Sequence, residues 1–154
     1  MSEAPIRRTQ AEWDAFFYGI AAEVAGLSKD PDRQVGALLV SADRRQMSPG
    51  YNGFPPDVPD LPSLLADRDF KLRNMVHAED NCLRQAPFNP SGCTIYVTRF
   101  PCLPCAGKVL RAGVARLVAP RPDLGHERWG VSWARALEDL RSARVAITYM
   151  EEST

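Results

Sequence analysis

A histidine and a glutamate stand two positions apart at His77 and Glu79, and a pair of cysteines follows about one strand later in Phe100-Pro101-Cys102-Leu103-Pro104-Cys105. Imidazole and thiolate are borderline-soft ligands that suit zinc, and a catalytic zinc usually keeps three protein ligands and one open position for water. His77, Cys102 and Cys105 supply three such ligands. Zinc lowers the pKa of bound water toward about 7, and the released proton needs an acceptor. Glu79, close to the ligand but not itself required for coordination, has the chemistry to take that proton. A closed structural zinc site would need a fourth ligand, for which Cys82 and His126 are candidates. Cys82 falls in mid-helix and Cys93 opens an apolar strand, so both read as ordinary core residues. A CxxC pair alone also fits a redox dithiol. Joined to HxE in this order, with a strand between, it reads as a zinc enzyme site.

The elements that must hold these groups follow from periodicity. Thr9 to Glu12 forms a capping box, after which Trp13, Phe16, Phe17, Ile20, Ala21, Val24 and Leu27 recur at helical spacing, predicting a helix that ends near Ser28. Gln34–Val40 and Arg45–Tyr51 read as paired strands around the polar turn Ser41-Ala42-Asp43-Arg44. The proline-rich stretch from Asn52 to about Pro62 is expected to be a long surface loop. A helix over about Val76–Gln85, a strand at Cys93–Arg99, a helix ending at Gly113, a strand at Val114–Pro120, a helix over Trp129–Arg141 and a strand at Ala143–Met150 complete the chain. This order predicts an α/β fold, one domain with a sheet of about five strands between helical layers. If a helix starts at each motif, the positive helix ends favour thiolate ligands at one point.

Composition narrows the partners. With 154 residues the chain has one domain's length, and 19 basic against 19 acidic residues leave no net charge for holding a polynucleotide backbone. The first residues lack the apolar core of a signal peptide, and no stretch reaches the roughly 18 apolar residues of a membrane span. A cytoplasmic protein without membrane or polynucleotide partners is expected, its four cysteines serving as thiols and not as a disulfide framework.

Four segments in order, "SKDPDRQVGALLV", "GYNGFP", "VHAEDN" and "FPCLPCAGKVLRAGV", resemble the deoxycytidylate (dCMP) deaminase family of the cytidine deaminase superfamily. H-x-E with P-C-x-x-C is the shared signature of zinc nucleobase deaminases. The resemblance covers roughly Ser28 to Val118. It implies a three-layer α/β/α sandwich with a mixed sheet, one catalytic Zn2+ per subunit on His77, Cys102 and Cys105, and hydrolysis of dCMP to dUMP and ammonia. Glu79 matches the proton shuttle, serving N3 and then the leaving amine. Asn52 matches an asparagine that contacts sugar and base, and the backbone N–H near Ala78 would orient the ring. Members are commonly homo-oligomers. The further ligands of a second, structural zinc found in some members have no counterparts here.

A 5′-phosphate needs donors. Ser28, Lys29 and Arg33 after the first helix, and His126 and Arg128 after the fourth strand, are the expected contacts. Tyr51, Phe54 and Trp129 are candidate walls for the base, and Arg68, Lys71 and Arg73 read as a solvated helix face. Three other readings compete: a deaminase of another nucleotide or nucleoside (CMP, dCTP, 5-substituted dCMP, cytidine or a purine nucleotide), a zinc-stabilised binding module, and a polynucleotide editor. Substrate choice lies in loops, which separates the first. The unligated Glu79 argues against the second, and zero net charge against the third.

Overall fold

Thr9 and Glu12 close the capping box that the sequence encodes. The Glu12 N–H donates to Thr9 Oγ1 at 3.1 Å, and the Thr9 N–H donates to Glu12 Oε1 at 3.0 Å. The helix they start, α1, spans Gln10–Ala25 in the computed structural model, which describes residues 2–151. Two strands follow, β1 (Gly36–Val40) and β2 (Met47–Tyr51), then two short helices, α2 (Pro62–Ala66) and α3 (Arg68–Asn74), and then α4 (Ala78–Gln85). The rest alternates as β3 (Thr94–Val97), α5 (Leu103–Arg111), β4 (Arg116–Pro120), α6 (Gly130–Ser142) and β5 (Ala146–Met150). The expected order of elements is present, with α2 added ahead of α3, the helix that carries Arg68, Lys71 and Arg73. Val76 belongs not to a helix but to a bridge with Gly53.

The five strands form one mixed sheet in the order β2-β1-β3-β4-β5. β1 is antiparallel to β2 and β3, whereas β3, β4 and β5 run parallel through the α5 and α6 crossovers. Side chains alternate across a strand, so each inner strand feeds two cores. Leu38, Val40, Tyr96 and Val118 pack against Phe17 and Ala21 of α1. Leu39, Ile95, Val97 and Leu117 face Cys82, Ala106, Val109 and Leu140 of α4, α5 and α6. The result is helix, sheet and helix in three layers.

Close approach fixes α4 over the edge strand. A Cβ on Gly50 would lie 2.4 Å from the Cys82 nitrogen and 2.5 Å from the Ala78 oxygen, so only glycine lets the helix settle there. Ser48 Oγ, beside it on the same face, donates to the Cys82 carbonyl at 2.7 Å. At the far end of α5, Gly113 has φ +79° and turns the chain toward β4.

Under the other face lies a buried carboxylate. Asp14 accepts from Arg116 Nη1 at 2.7 Å, Tyr96 Oη at 2.7 Å and Gln10 Nε2 at 2.9 Å, and Arg116 Nη2 donates to its second oxygen. Burial opposes ionisation, but the donors from Arg116, Tyr96 and Gln10 prevail and hold the carboxyl below the usual aspartate range. Asp14→Asn leaves Arg116 without its counter-charge and is expected to destabilise the fold by about 3 kcal/mol at pH 7. A lowered folded-state pKa gives stability that is present above the unfolded value near 3.9 and fades as pH falls through the folded one. The gap in urea midpoint between wild type and variant should therefore shrink below about pH 4. A gap equal at pH 7 and pH 3 would contradict this account.

Candidate metal centre and catalytic cavity

Helix starts usually carry Ser, Thr, Asp or Asn, whose side chains accept from the first free N–H groups. Here the N-cap of α4 is His77 and that of α5 is Cys102, and neither side chain makes a cap hydrogen bond. Both are left free to turn toward a common point. The turn holding Cys102 is pinned from α6: Trp133 Nε1 donates to the Phe100 carbonyl at 3.0 Å, and Ser132 Oγ accepts the Leu103 N–H at 2.9 Å. The Gly53–Val76 bridge places His77 from the other side.

His77 Nδ1 lies 3.2 Å from Cys105 Sγ and 3.6 Å from Cys102 Sγ, and the ligand atoms of the three residues all fall within 4.8 Å of one another. Zinc bonds of about 2.3 Å to sulfur and about 2.0–2.1 Å to nitrogen, arranged as a tetrahedron, put such atoms roughly 3.6 Å apart. The donor set therefore fits zinc in both chemistry and spacing. Cys105 donates to Cys102 and, with burial opposing and His77 assisting, lowers the Cys102 thiol to about 4. Giving that hydrogen bond and being buried push the Cys105 thiol up. The hydrogen bond to Cys102, against burial, raises His77.

Glu79 occupies the second position of α4 and is 4% exposed. Burial raises its carboxyl pKa, partly offset by its own backbone N–H. It opens with His77, Ala78 and Cys102 onto a cavity of about 410 Å³. Asn52 lines the same cavity, its Oδ1 accepting the Val35 N–H at 2.8 Å and its Nδ2 donating to the Arg33 carbonyl at 2.9 Å. One amide hydrogen and one lone pair of that side chain remain. Topology explains the meeting: the end of β2, the start of β1 and the end of β3 lie side by side because β1 is antiparallel to both neighbours. Asn52, Val35 and Arg99 thus reach one rim of the sheet.

Several expected contacts fall elsewhere. Ser28 is buried and donates to the Asn52 carbonyl at 2.9 Å, Lys29 pairs with Asp60 at 2.9 Å, and His126 Nδ1 accepts the Arg128 and Trp129 N–H groups ahead of α6. None of these three lines the cavity. They support loops and stand outside the cavity lining, where the sequence suggested phosphate contacts. Lys71 is no solvated face residue: at 11% side-chain exposure it bridges Asp30 at 2.8 Å and Asp32 at 2.5 Å, tying α3 to the loop after α1. Phe54 packs on Phe70, and neither Phe54 nor Tyr51 lines the cavity, whereas Trp129 does. Arg33 and Arg128 line it as well, with Arg99, Arg68, Leu72 and Met75, which sequence reasoning did not assign to the site. A charged residue ending an otherwise buried strand was the available signal for Arg99.

Comparison with known proteins agrees with this geometry. Residues 11–120 match the family model described as the cytidine and deoxycytidylate deaminase zinc-binding region. An uncharacterised deaminase in the luxG 3′ region of Aliivibrio fischeri is 33% identical over 91% of this chain and 95% of its own length. The deoxycytidylate deaminase of Pongo abelii is 32% identical over 91% of this chain and 83% of its own. In fold, the chain matches the crystal structure of dCMP deaminase from cyanophage S-TIM5 in complex with dCMP and dUMP. That match has a TM-score of 0.72 and 18% identity, and it covers 93% of this chain and 100% of the other.

Proposed function

The chain belongs to the cytidine and deoxycytidylate deaminase family, and from that premise we propose that it hydrolyses dCMP at C4 to give dUMP and ammonia. One observation carries the reading: a buried carboxylate, Glu79, opens with the His77–Cys102–Cys105 set onto a cavity of nucleotide size. A closed structural site has no use for that carboxylate. The deoxycytidylate deaminase that aligns along most of the chain supports dCMP as the substrate.

His77, Cys102 and Cys105 hold one zinc, which when bound supplies hydroxide at neutral pH. Glu79 takes the proton of the attacking water at its carboxylate and delivers it to N3 of the ring; it then passes the remaining hydroxyl proton at C4 to the amine, which leaves as ammonia when the C4–N bond breaks and the C4 carbonyl forms. Its burial suits this work, because a raised pKa keeps the carboxyl close to the range in which it both accepts and donates. Ala78 lines the cavity, and its N–H, at the first position of α4, has no intrahelical acceptor, which suits it as a donor to the base. Asn52, locked by its two backbone bonds, presents its remaining amide hydrogen and lone pair to sugar and base. Val35, Leu72, Phe100 and Trp129 give the ring apolar walls and exclude water.

No described helix is long and apolar enough to cross a membrane. The reading extends to a cytoplasmic homo-oligomer acting on free nucleotides. Four free thiols suit a reducing compartment, and the exposed apolar side chains of Phe16 and Val131 suit contact with a second copy.

The test is ammonia release from zinc-loaded protein over dCMP, CMP, dCTP, deoxycytidine, 5-methyl-dCMP, dAMP and dGMP. A preference for dCMP of at least about tenfold in kcat/KM, or about 1.4 kcal/mol in transition-state binding, is the expected result. Activity confined to a purine or to a nucleoside would refute the substrate assignment.

A further inference from the structure

Arg99 leaves the end of β3 three residues ahead of Cys102 and lines the cavity with Cys102 and Glu79. Its guanidinium lies over two indoles, 5.3 Å from the Trp129 ring centroid and 5.1 Å from that of Trp133. Among the described residues it makes no ion pair and donates no hydrogen bond. Such cation–π contacts hold the guanidinium through its charge, and no described acceptor takes its N–H donors, which remain for a ligand. Burial first, and then the neighbouring Arg33, push its pKa down to about 10, against the smaller opposing pull of Cys102 and Glu79.

Among the described residues no carboxylate forms an ion pair with Arg99. Arg33 and Arg128 line the same cavity and are likewise without an ion pair among the described residues. Asp30 and Asp32 also line it, but Lys71 binds both. Glu79 is buried beside the metal ligands. Unpaired guanidinium groups around one cavity, with the Asp30 and Asp32 carboxylates already bound, favour an anionic ligand. The planar donor fork of arginine matches phosphate in particular. Arg33 is well placed to assist, since its carbonyl is held at 2.9 Å by Asn52 Nδ2, so the residue next to the sugar-binding amide also carries a cation.

We propose that Arg99, stacked on Trp129 and Trp133 and assisted by Arg33, binds the 5′-phosphate of a nucleoside monophosphate and so makes this cavity select nucleotides over nucleosides. The inference rests on the deaminase reading for the chemistry at the other end of the ligand. It places phosphate recognition on Arg99, in the turn after β3, and not on Ser28, Lys29 and His126.

Calorimetric titration of the zinc-loaded full chain with dCMP and with deoxycytidine tests it, alongside ammonia release from both. Wild type should bind dCMP far more tightly than deoxycytidine. Arg99→Met, which keeps an apolar stem against the indoles, should cut that affinity ratio by roughly 10- to 100-fold, the loss expected for charge-assisted hydrogen bonds. Arg99→Lys should recover only part of it, because an ammonium lacks the fork. Arg33→Gln should lower the ratio by a smaller factor. An Arg99→Met protein with wild-type zinc content and thermal midpoint but an unaltered ratio overturns the proposal. Should that variant fail to fold, an unaltered ratio in Arg33→Gln overturns it instead. Wild-type protein that binds dCMP without releasing ammonia would sink deamination and leave the phosphate site standing. Equal affinity for dCMP and deoxycytidine would remove the phosphate site and leave deamination standing.

Discussion

Glu79→Gln is expected to lower kcat on dCMP by a factor of roughly 10² to 10⁴, the usual contribution of a positioned general acid-base, while zinc content and fold stay as in wild type. Glutamine matches glutamate in shape, so α4 keeps its packing over Gly50, and His77 keeps its place at the helix start. What disappears is an ionisable group at the point where a proton has to change hands. Because Glu79 is 4% exposed, water has little access to replace it as the proton carrier. The variant also removes a carboxyl that burial disfavours in its charged form, so its thermal midpoint should equal or exceed that of wild type, as when stability and activity trade against each other. Turnover and thermal denaturation, measured on the same zinc-assayed preparation, separate the two effects. Turnover within about threefold of wild type would show that the proton takes another route, since a general acid-base normally contributes far more.

Cys105→Ala, or removal of metal from the wild type by a chelator, should by contrast abolish turnover and lower stability together. Cys105 is 1% exposed in the first turn of α5, and with Cys102 and His77 it joins the starts of α4 and α5 across the second core. A ligand present at a thousandfold its dissociation constant stabilises the folded state by about 4 kcal/mol. For a chain of this size that corresponds to a fall of roughly 10 °C in thermal midpoint on removal. Returning zinc to the chelated wild type should restore both properties, whereas the alanine variant should recover neither in full. A chelated protein proven free of zinc by metal analysis, yet equal to the loaded one in midpoint and turnover, would show that the three residues hold no functional metal.

Local chemistry made much of this protein legible in one dimension. The Thr9–Glu12 box, the period-2 strands and the break at Gly113 are interactions among residues close in sequence, and they placed the main helices and all the strands within a few residues. The histidine and cysteine ligand set was equally legible, since short spacing on a helix start constrains which side chains share a face. Charge was not legible in this way. Lys29, Lys71, His126 and Arg99 look alike as loop or terminal polar residues, and their partners lie 31 residues away for Lys29, at Asp60, and 41 and 39 away for Lys71, at Asp30 and Asp32. Whether a cation is bound by a carboxylate or left to face a cavity depends on which strands the antiparallel β1 brings side by side, and on where α3 comes to rest. The sequence by itself determined the chemistry of the metal centre and the elements that carry it. Only the tertiary structure decided which arginines face the cavity, because ion pairing is a contest between groups distant in the chain, settled by the distances that packing imposes.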